Sequence, residues 1–267
     1  MKLIDSYSLL EKIRKEKPLV HHITNWVTIY DCANVVRAIG ALPVMAHAIE
    51  ESAEMQQNSN ALVLNIGTLT PELVDSMIAA AKKANELQHP VILDAVGAGA
   101  TKLRTEKALE ILDKVKVDIL KGNKSEIARL AGANVVTRGV EAANVAENLP
   151  ELAKNLAVER KNVVVVTGKH DIVASGKKNF LVKNGHELLG KFVGTGCMAA
   201  SIIGCFAAVE KDFASASAAA LSCFGIAAEL AAKKAIAPAA FKQQLFDELY
   251  SLDAASVKKM QRIEEFA

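Results

Sequence analysis

Six short apolar runs constrain this 267-residue chain more than any other feature: Leu19–Ile23, Leu42–Ala46, Ala61–Ile66, Val91–Leu93, Val117–Leu120 and Val163–Val166. Each is too short for a core helix. Several are continuously apolar, the pattern of strands covered on both faces. Helical signatures lie between them. Thr70-Pro71-Glu72 offers a capping hydroxyl, a proline at the first helical position and an acid in the first turn, opening a helix to about Gln88. Thr28–Ile39 is a helix stopped by Gly40; Thr105–Lys116, Lys124–Ala131 and Ala142–Arg160, interrupted at Pro150, follow. Beyond Gly196 the chain turns mostly helical, at about 197–210, 213–235, 238–250 and 253–265. Strands alternating with helices imply right-handed crossovers and a mainly parallel sheet. Ile172–Ala174 and Asn179–Lys183, joined by a short turn, add an antiparallel pair.

Four of the runs end alike. Gly67-Thr68 follows the third, Asp94 to Gly99 the fourth, Lys121-Gly122-Asn123 the fifth and Thr167-Gly168 the sixth. In a parallel sheet these C-terminal ends share one edge, where such folds bind ligands. Glycine also turns strands into helices, but four junctions carrying Asp, Lys, Asn and Thr favour a polar site.

Bulk properties narrow the guest. With 32 basic and 30 acidic residues the net charge is +2, giving no electrostatic reason for a nucleic-acid or membrane partner. Hydrophobic residues make up 51% of the chain, enough for a sizeable core. Cys32, Cys197, Cys205 and Cys223 form no CxxC pair and no zinc spacing, which suits free thiols in a reducing cytoplasm. The first 18 residues lack the apolar core of a signal peptide. Ala214–Ala232 has the length of a membrane span, but it is rich in Ala and Ser and carries Glu229, as expected of an interior helix.

The sharpest local feature is Gly194-Thr195-Gly196-Cys197, opening directly into an apolar helix. Free N–H groups and the helix dipole make such a turn an anion site, suited to a transferring phosphoryl group. Cys197 would lie at or beside the N-cap. No GxxxxGK[ST] loop is present, and Gly97-Ala98-Gly99-Ala100-Thr101 lacks the third glycine of a dinucleotide fingerprint. Asp94 and Glu126 are the best carboxylate candidates for Mg²⁺, although Glu126 also stands where a capping-box acid would, three residues after Asn123. His21 and His22 are adjacent on a strand, so they point to opposite faces and cannot jointly ligate a metal. The junction from His22 to Thr28, with the sole tryptophan Trp26, suits recognition of a small substrate or simply caps a helix.

Taken in order, His22–Asn25, Ala38–Ala46, Leu64–Leu69, Asp94–Gly99, Gly122-Asn123-x-x-Glu126, Val166–Gly168 and Gly194–Cys197 resemble the hydroxyethylthiazole kinase family of the ribokinase-like superfamily, from about Pro18 onward. The resemblance implies a single α/β domain over residues 1–267, with a mostly parallel central sheet flanked by helices on both faces. It implies a cytoplasmic kinase using ATP and Mg²⁺ to phosphorylate 5-(2-hydroxyethyl)-4-methylthiazole in thiamine salvage. A homotrimer with pockets at subunit boundaries is also implied. By position, Met45 and Gly194 contact the thiazole, with Asn25, Val27 and Gly67 nearby. Lys121 and Thr167, with Asn123, Thr195 and Gly196, bind ATP; Asp94 and Glu126 hold the metal or its waters. Cys197 stands where many superfamily members have an aspartate base. Two departures are Ala95, where the family usually has proline, and Lys121, where many relatives have arginine, so a fork of donors becomes a point charge. Alternatives on the same residues are a kinase for another small alcohol, such as a hydroxymethylpyrimidine, a nucleotide-repair dehydratase, or an ATP-sensing module. The aspartate that a dehydratase normally keeps at position 197 is absent here.

Overall fold

The computed structural model describes residues 4–132 and 149–267. Each apolar run becomes a strand: β1 (Leu19–Ile23), β2 (Leu42–Met45), β3 (Ala61–Asn65), β4 (Val91–Asp94), β5 (Ile119–Asn123) and β6 (Val163–Thr167). They pair in parallel in the order β2-β1-β3-β4-β5-β6. The sheet continues antiparallel through β7 (Asp171–Ala174), β8 (Asn179–Val182) and β9 (Ile263–Phe266), giving nine strands among the described residues.

In chain order the helices are α1 (Ser6–Glu16), α2 (Ile29–Ile39), α3 (Ile49–Gln57), α4 (Pro71–Glu86), α5 (Lys102–Lys114) and α6 (Lys124–Leu130). Then follow α7 (Leu149–Arg160), a 3₁₀ turn at Glu187–Lys191, α8 (Thr195–Val209), α9 (Phe213–Ala232), α10 (Pro238–Ser251) and α11 (Ala254–Met260). The period-two pleat sends alternate residues to two separate cores. Val63, Ile92 and Val165 pack with α1, α2 and α8–α11, whereas Leu64, Leu93 and Val166 pack with α4–α7. Helix α9, long and apolar enough to cross a membrane, is 78% buried within the fold, which explains its composition without a bilayer.

Several boundaries differ from expectation. The last helix does not run through 253–265: it stops at Met260, and Ile263–Phe266 forms an edge strand paired with β8. Its period is ambiguous over so few residues, so pairing decides the state. Helix α5 starts at Lys102 rather than Thr105, because the Thr101 hydroxyl caps the N–H of Arg104. Helix α9 ends at Ala232, short of 235. The first residues of the expected helix Ala142–Arg160 lie outside the described residues. Helices α1 and α3 have no counterpart in the sequence reading; α3 is short and packs on α4, where Ser52 donates to the Ser76 carbonyl at 3.3 Å.

Candidate active site

Register assembles the site. Asn65 pairs with Asp94, and Asp94 with Lys121, so three polar side chains stand in one row across β3, β4 and β5. They lie two residues beyond Val63, Ile92 and Ile119, hence on the face covered by α8. All three are buried, at 1%, 0% and 3% exposure, so each needs a partner. Lys121 Nζ donates to Asp94 Oδ1 at 3.0 Å, and Asn65 Nδ2 donates to Asp94 Oδ2 at 2.8 Å. Burial lifts the Asp94 carboxyl to about 6 against the pull of Lys121. For Lys121, burial works to discharge the ammonium, but the Asp94 carboxylate outweighs it and holds the group protonated. The ion pair is therefore formed at neutral pH.

Above this row the chain enters α8. Gly194 is its N-cap, with φ +102, a left-handed conformation natural only to glycine; an added Cβ would also lie 2.8 Å from Thr28 Cγ2. Cys197 is thus the third helical residue, inside the first turn rather than at its cap. Among the described residues no side chain caps this end, so the first-turn N–H groups keep their anion-binding character. Gly196 has no side chain for a second reason: a Cβ there would sit 2.9 Å from Lys121 Nζ. The ammonium and the helix N-terminus converge on one spot. Cys197 Sγ accepts from Asn65 Nδ2 at 3.2 Å and from Asn25 Nδ2 at 3.4 Å, so one residue separates the thiol from Asp94. The other three cysteines are free and buried, and burial pushes Cys32 and Cys223 up to about 12.

A cleft of about 680 Å³ opens beside this turn, lined by Thr167, Asp171, His186, Thr195, Gly196 and Phe224 among others. Thr167 Oγ1 donates to the Gly122 carbonyl at 3.4 Å. Asp171, which sequence reasoning passed over, accepts from the Gly168 N–H at 2.9 Å, and burial raises its carboxyl to about 6. A smaller hollow of about 280 Å³ lies between Trp26, His47, Ile49, Thr70 and Leu73. There Trp26 and His47 stack with centroids 4.7 Å apart.

Glu126 forms the capping box: Oε2 accepts from Asn123 N–H at 2.7 Å while Asn123 Oδ1 accepts from Glu126 N–H at 3.0 Å. Its Oε1 accepts from Gly97 N–H at 2.8 Å, fastening the loop after β4. Asn123 is therefore a cap whose oxygen is committed to the helix. Val27 is 67% exposed and joins the buried network only through its backbone N–H, which donates to Asn25 Oδ1, and Met45 ends the half-buried edge strand β2. His21 and His22 reach different helices, one toward Gln56 and the other toward Ser201. Burial pushes His22 down to about 3. The neutral ring donates from Nδ1 to the Val20 carbonyl and accepts at Nε2 from the Ser201 hydroxyl. Arg104 is a second residue missed from sequence: its guanidinium donates to the carbonyls of Ile66, Gly67 and Val96, tying the loops after β3 and β4 together.

The sequence profile of the hydroxyethylthiazole kinase family matches residues 10–255. The chain belongs to the hydroxyethylthiazole kinase family. Its similarity to the Methanosarcina mazei hydroxyethylthiazole kinase is 57% identity over 256 residues, covering 96% of this chain and 98% of that one. The solved structure of the Pyrococcus horikoshii hydroxyethylthiazole kinase superposes with a TM-score of 0.90 at 43% identity, covering 98% and 99% of the two chains. A ribokinase-like superfamily protein from Enterococcus faecalis aligns with a TM-score of 0.65 at 12% identity, over 91% of this chain and 94% of that one, a likeness of fold alone. Membership of the hydroxyethylthiazole kinase family makes the protein a small-molecule kinase.

Proposed function

We propose that this chain, as one domain, transfers the γ-phosphoryl group of ATP to the primary hydroxyl of 5-(2-hydroxyethyl)-4-methylthiazole, in thiamine salvage. The observation that carries the reading is the convergence of the uncapped α8 N-terminus, the buried Lys121 ammonium and the Cys197 thiol at the head of the cleft. ATP lies in that cleft with its phosphates toward Thr195 and Gly196 and its nucleoside along Thr167. Phosphoryl transfer needs alignment and charge neutralisation more than covalent help, and Lys121 with the α8 amides supplies positive charge where the γ-phosphate sits.

Among the described residues no group of three or more His, Cys, Asp or Glu is placed to hold a metal ion. Both Glu126 oxygens already accept backbone N–H groups, and both Asp94 oxygens have donors, though each carboxylate oxygen keeps a second lone pair. That arrangement fits Mg²⁺ held chiefly by phosphates and waters, with Asp94 and Glu126 orienting the waters. Mg²⁺ would neutralise phosphate charge. The protein's own residues hold the nucleotide, exclude water and place the hydroxyl.

On the acceptor side stand Asn25, Gly67, Met45 and Gly194. Trp26, Val27, Tyr30 and Val193 are 56–78% exposed, and Gly194 abuts Thr28, so these apolar side chains border the acceptor side. A neighbouring subunit in a homotrimer would cover them and close the pocket. Cys197 either takes the late proton of the acceptor or shapes the pocket. General-base help is worth about 10²–10⁴-fold, so a loss of kcat below about threefold in Cys197→Ala would rule out an important base role. A coupled ADP-release assay comparing hydroxyethylthiazole with hydroxymethylpyrimidine tests the substrate. Turnover of the pyrimidine alone would refute the thiazole assignment.

A further inference from the structure

Asn65 ends β3 at 1% exposure and uses all four hydrogen-bonding positions of its carboxamide. Oδ1 accepts from Asn25 Nδ2 and from the Gly67 N–H, both at 2.9 Å; Nδ2 donates to Asp94 Oδ2 at 2.8 Å and to Cys197 Sγ at 3.2 Å. The amide cannot be turned over, because a backbone N–H only donates and a carboxylate only accepts. Asn25 is locked in the same way: its Oδ1 accepts from the N–H groups of Val27 and Thr28, each at 3.1 Å. Its Nδ2 therefore also points at Cys197 Sγ. Two N–H groups whose opposite ends are anchored to backbone thus converge on one sulfur. A neutral thiol has two lone pairs, and both are engaged. Its S–H, or the further lone pair of a thiolate, is left for the group that enters the turn beside Gly196.

Resting on the kinase reading above, we propose that Asn65 is a positioning residue for phosphoryl transfer. Its amide sets which atoms of Asp94 and Cys197 face the reacting groups and links the ion-paired carboxylate to the thiol. Asparagine meets this need where an isostere fails. Asp at this position has the same shape but sets an acceptor against two acceptors. Leu of similar size leaves the Gly67 N–H and Asp94 Oδ2 without partners.

The experiment compares the full-length protein with Asn65→Asp and Asn65→Ala, the second adding no charge. Steady-state kinetics with hydroxyethylthiazole and ATP are measured beside carbamidomethylation of Cys197 by iodoacetamide, read by peptide mass spectrometry without substrate. Asn65→Asp is expected to lower kcat about 100-fold and Asn65→Ala about tenfold, with KM for ATP within about threefold of wild type, because misplacement rather than nucleotide binding is affected. Both are expected to change the Cys197 alkylation rate by at least about fivefold, since the sulfur loses an N–H donor. A folded Asn65→Ala with kcat and alkylation both within about twofold of wild type overturns the proposal. Wild-type protein that phosphorylates no alcohol defeats the kinase reading instead, and the alkylation comparison then judges the thiol network separately.

Discussion

Arg104 stands in the first turn of α5, yet it serves two loops that carry the site. Its Nη1 donates to the Ile66 and Val96 carbonyls, both at 3.1 Å, and its Nη2 to the Gly67 carbonyl at 2.7 Å. Gly67 follows β3 and Val96 follows Asp94, so the guanidinium fixes the distance between the loops after β3 and β4. A hydrogen bond to a charged group contributes about 1.5–3 kcal/mol, and three would reach about 4–9 kcal/mol if nothing replaced them. Arg104 is half-buried, so water reaches part of the gap, and the expected loss for Arg104→Ala is about 2–4 kcal/mol. Arg104→Lys keeps the charge but not the fork, so it is expected to recover less than half of that. Urea unfolding with linear extrapolation measures the stability term, and steady-state kinetics measure the geometric one, expected at about 10–100-fold in kcat. Added guanidinium is expected to restore part of the Arg104→Ala activity. Stability within about 0.5 kcal/mol of wild type together with kcat within about threefold would refute the clamp.

Four further outcomes follow from the same geometry. The Asp94 carboxyl sits at about 6, so kcat/KM is expected to rise as pH passes upward through about 6; a flat profile from 5 to 7.5 would remove Asp94 from the mechanism. For stability the sign is opposite: the folded protein binds this proton more tightly than the unfolded chain, so the contribution is present below about 3.9 and lost as pH rises through about 6. Asp94→Asn should flatten that decline in thermal unfolding. Gly196→Ala places a methyl 2.9 Å from the Lys121 ammonium and is expected to raise KM for ATP about tenfold while leaving the circular dichroism unchanged. Light scattering is expected to report a trimer, with Tyr30→Asp, at a position 78% exposed in the single chain, dissociating it; a monomeric wild type would contradict boundary-sited acceptor pockets.

The strands, the helix that follows Gly194 and the edge that holds the site are legible in the residue order. Apolar runs and their glycine-bearing ends are local patterns, and a strand's direction in a parallel sheet places its C-terminus without further information. Asp94 and Lys121 were visible as candidates for that reason, and Gly196 and Cys197 because a glycine-rich turn opens directly into an apolar helix. What stayed hidden depends on partners distant along the chain. Asn65 sits within an apolar run, a polar residue in a buried strand being the one signal it gives, but its meaning comes from Asp94 and Cys197, 29 and 132 positions away. Arg104 looks like any charged helix residue until its carbonyls, up to 38 positions away, are known. Ile263–Phe266 became a strand because β8 offered an unpaired edge. Local spacing thus determined which elements form and which ends bear chemistry. Only the tertiary structure decided which polar groups satisfy one another, because burial obliges each donor and acceptor to find a partner and the fold chooses which one is within reach.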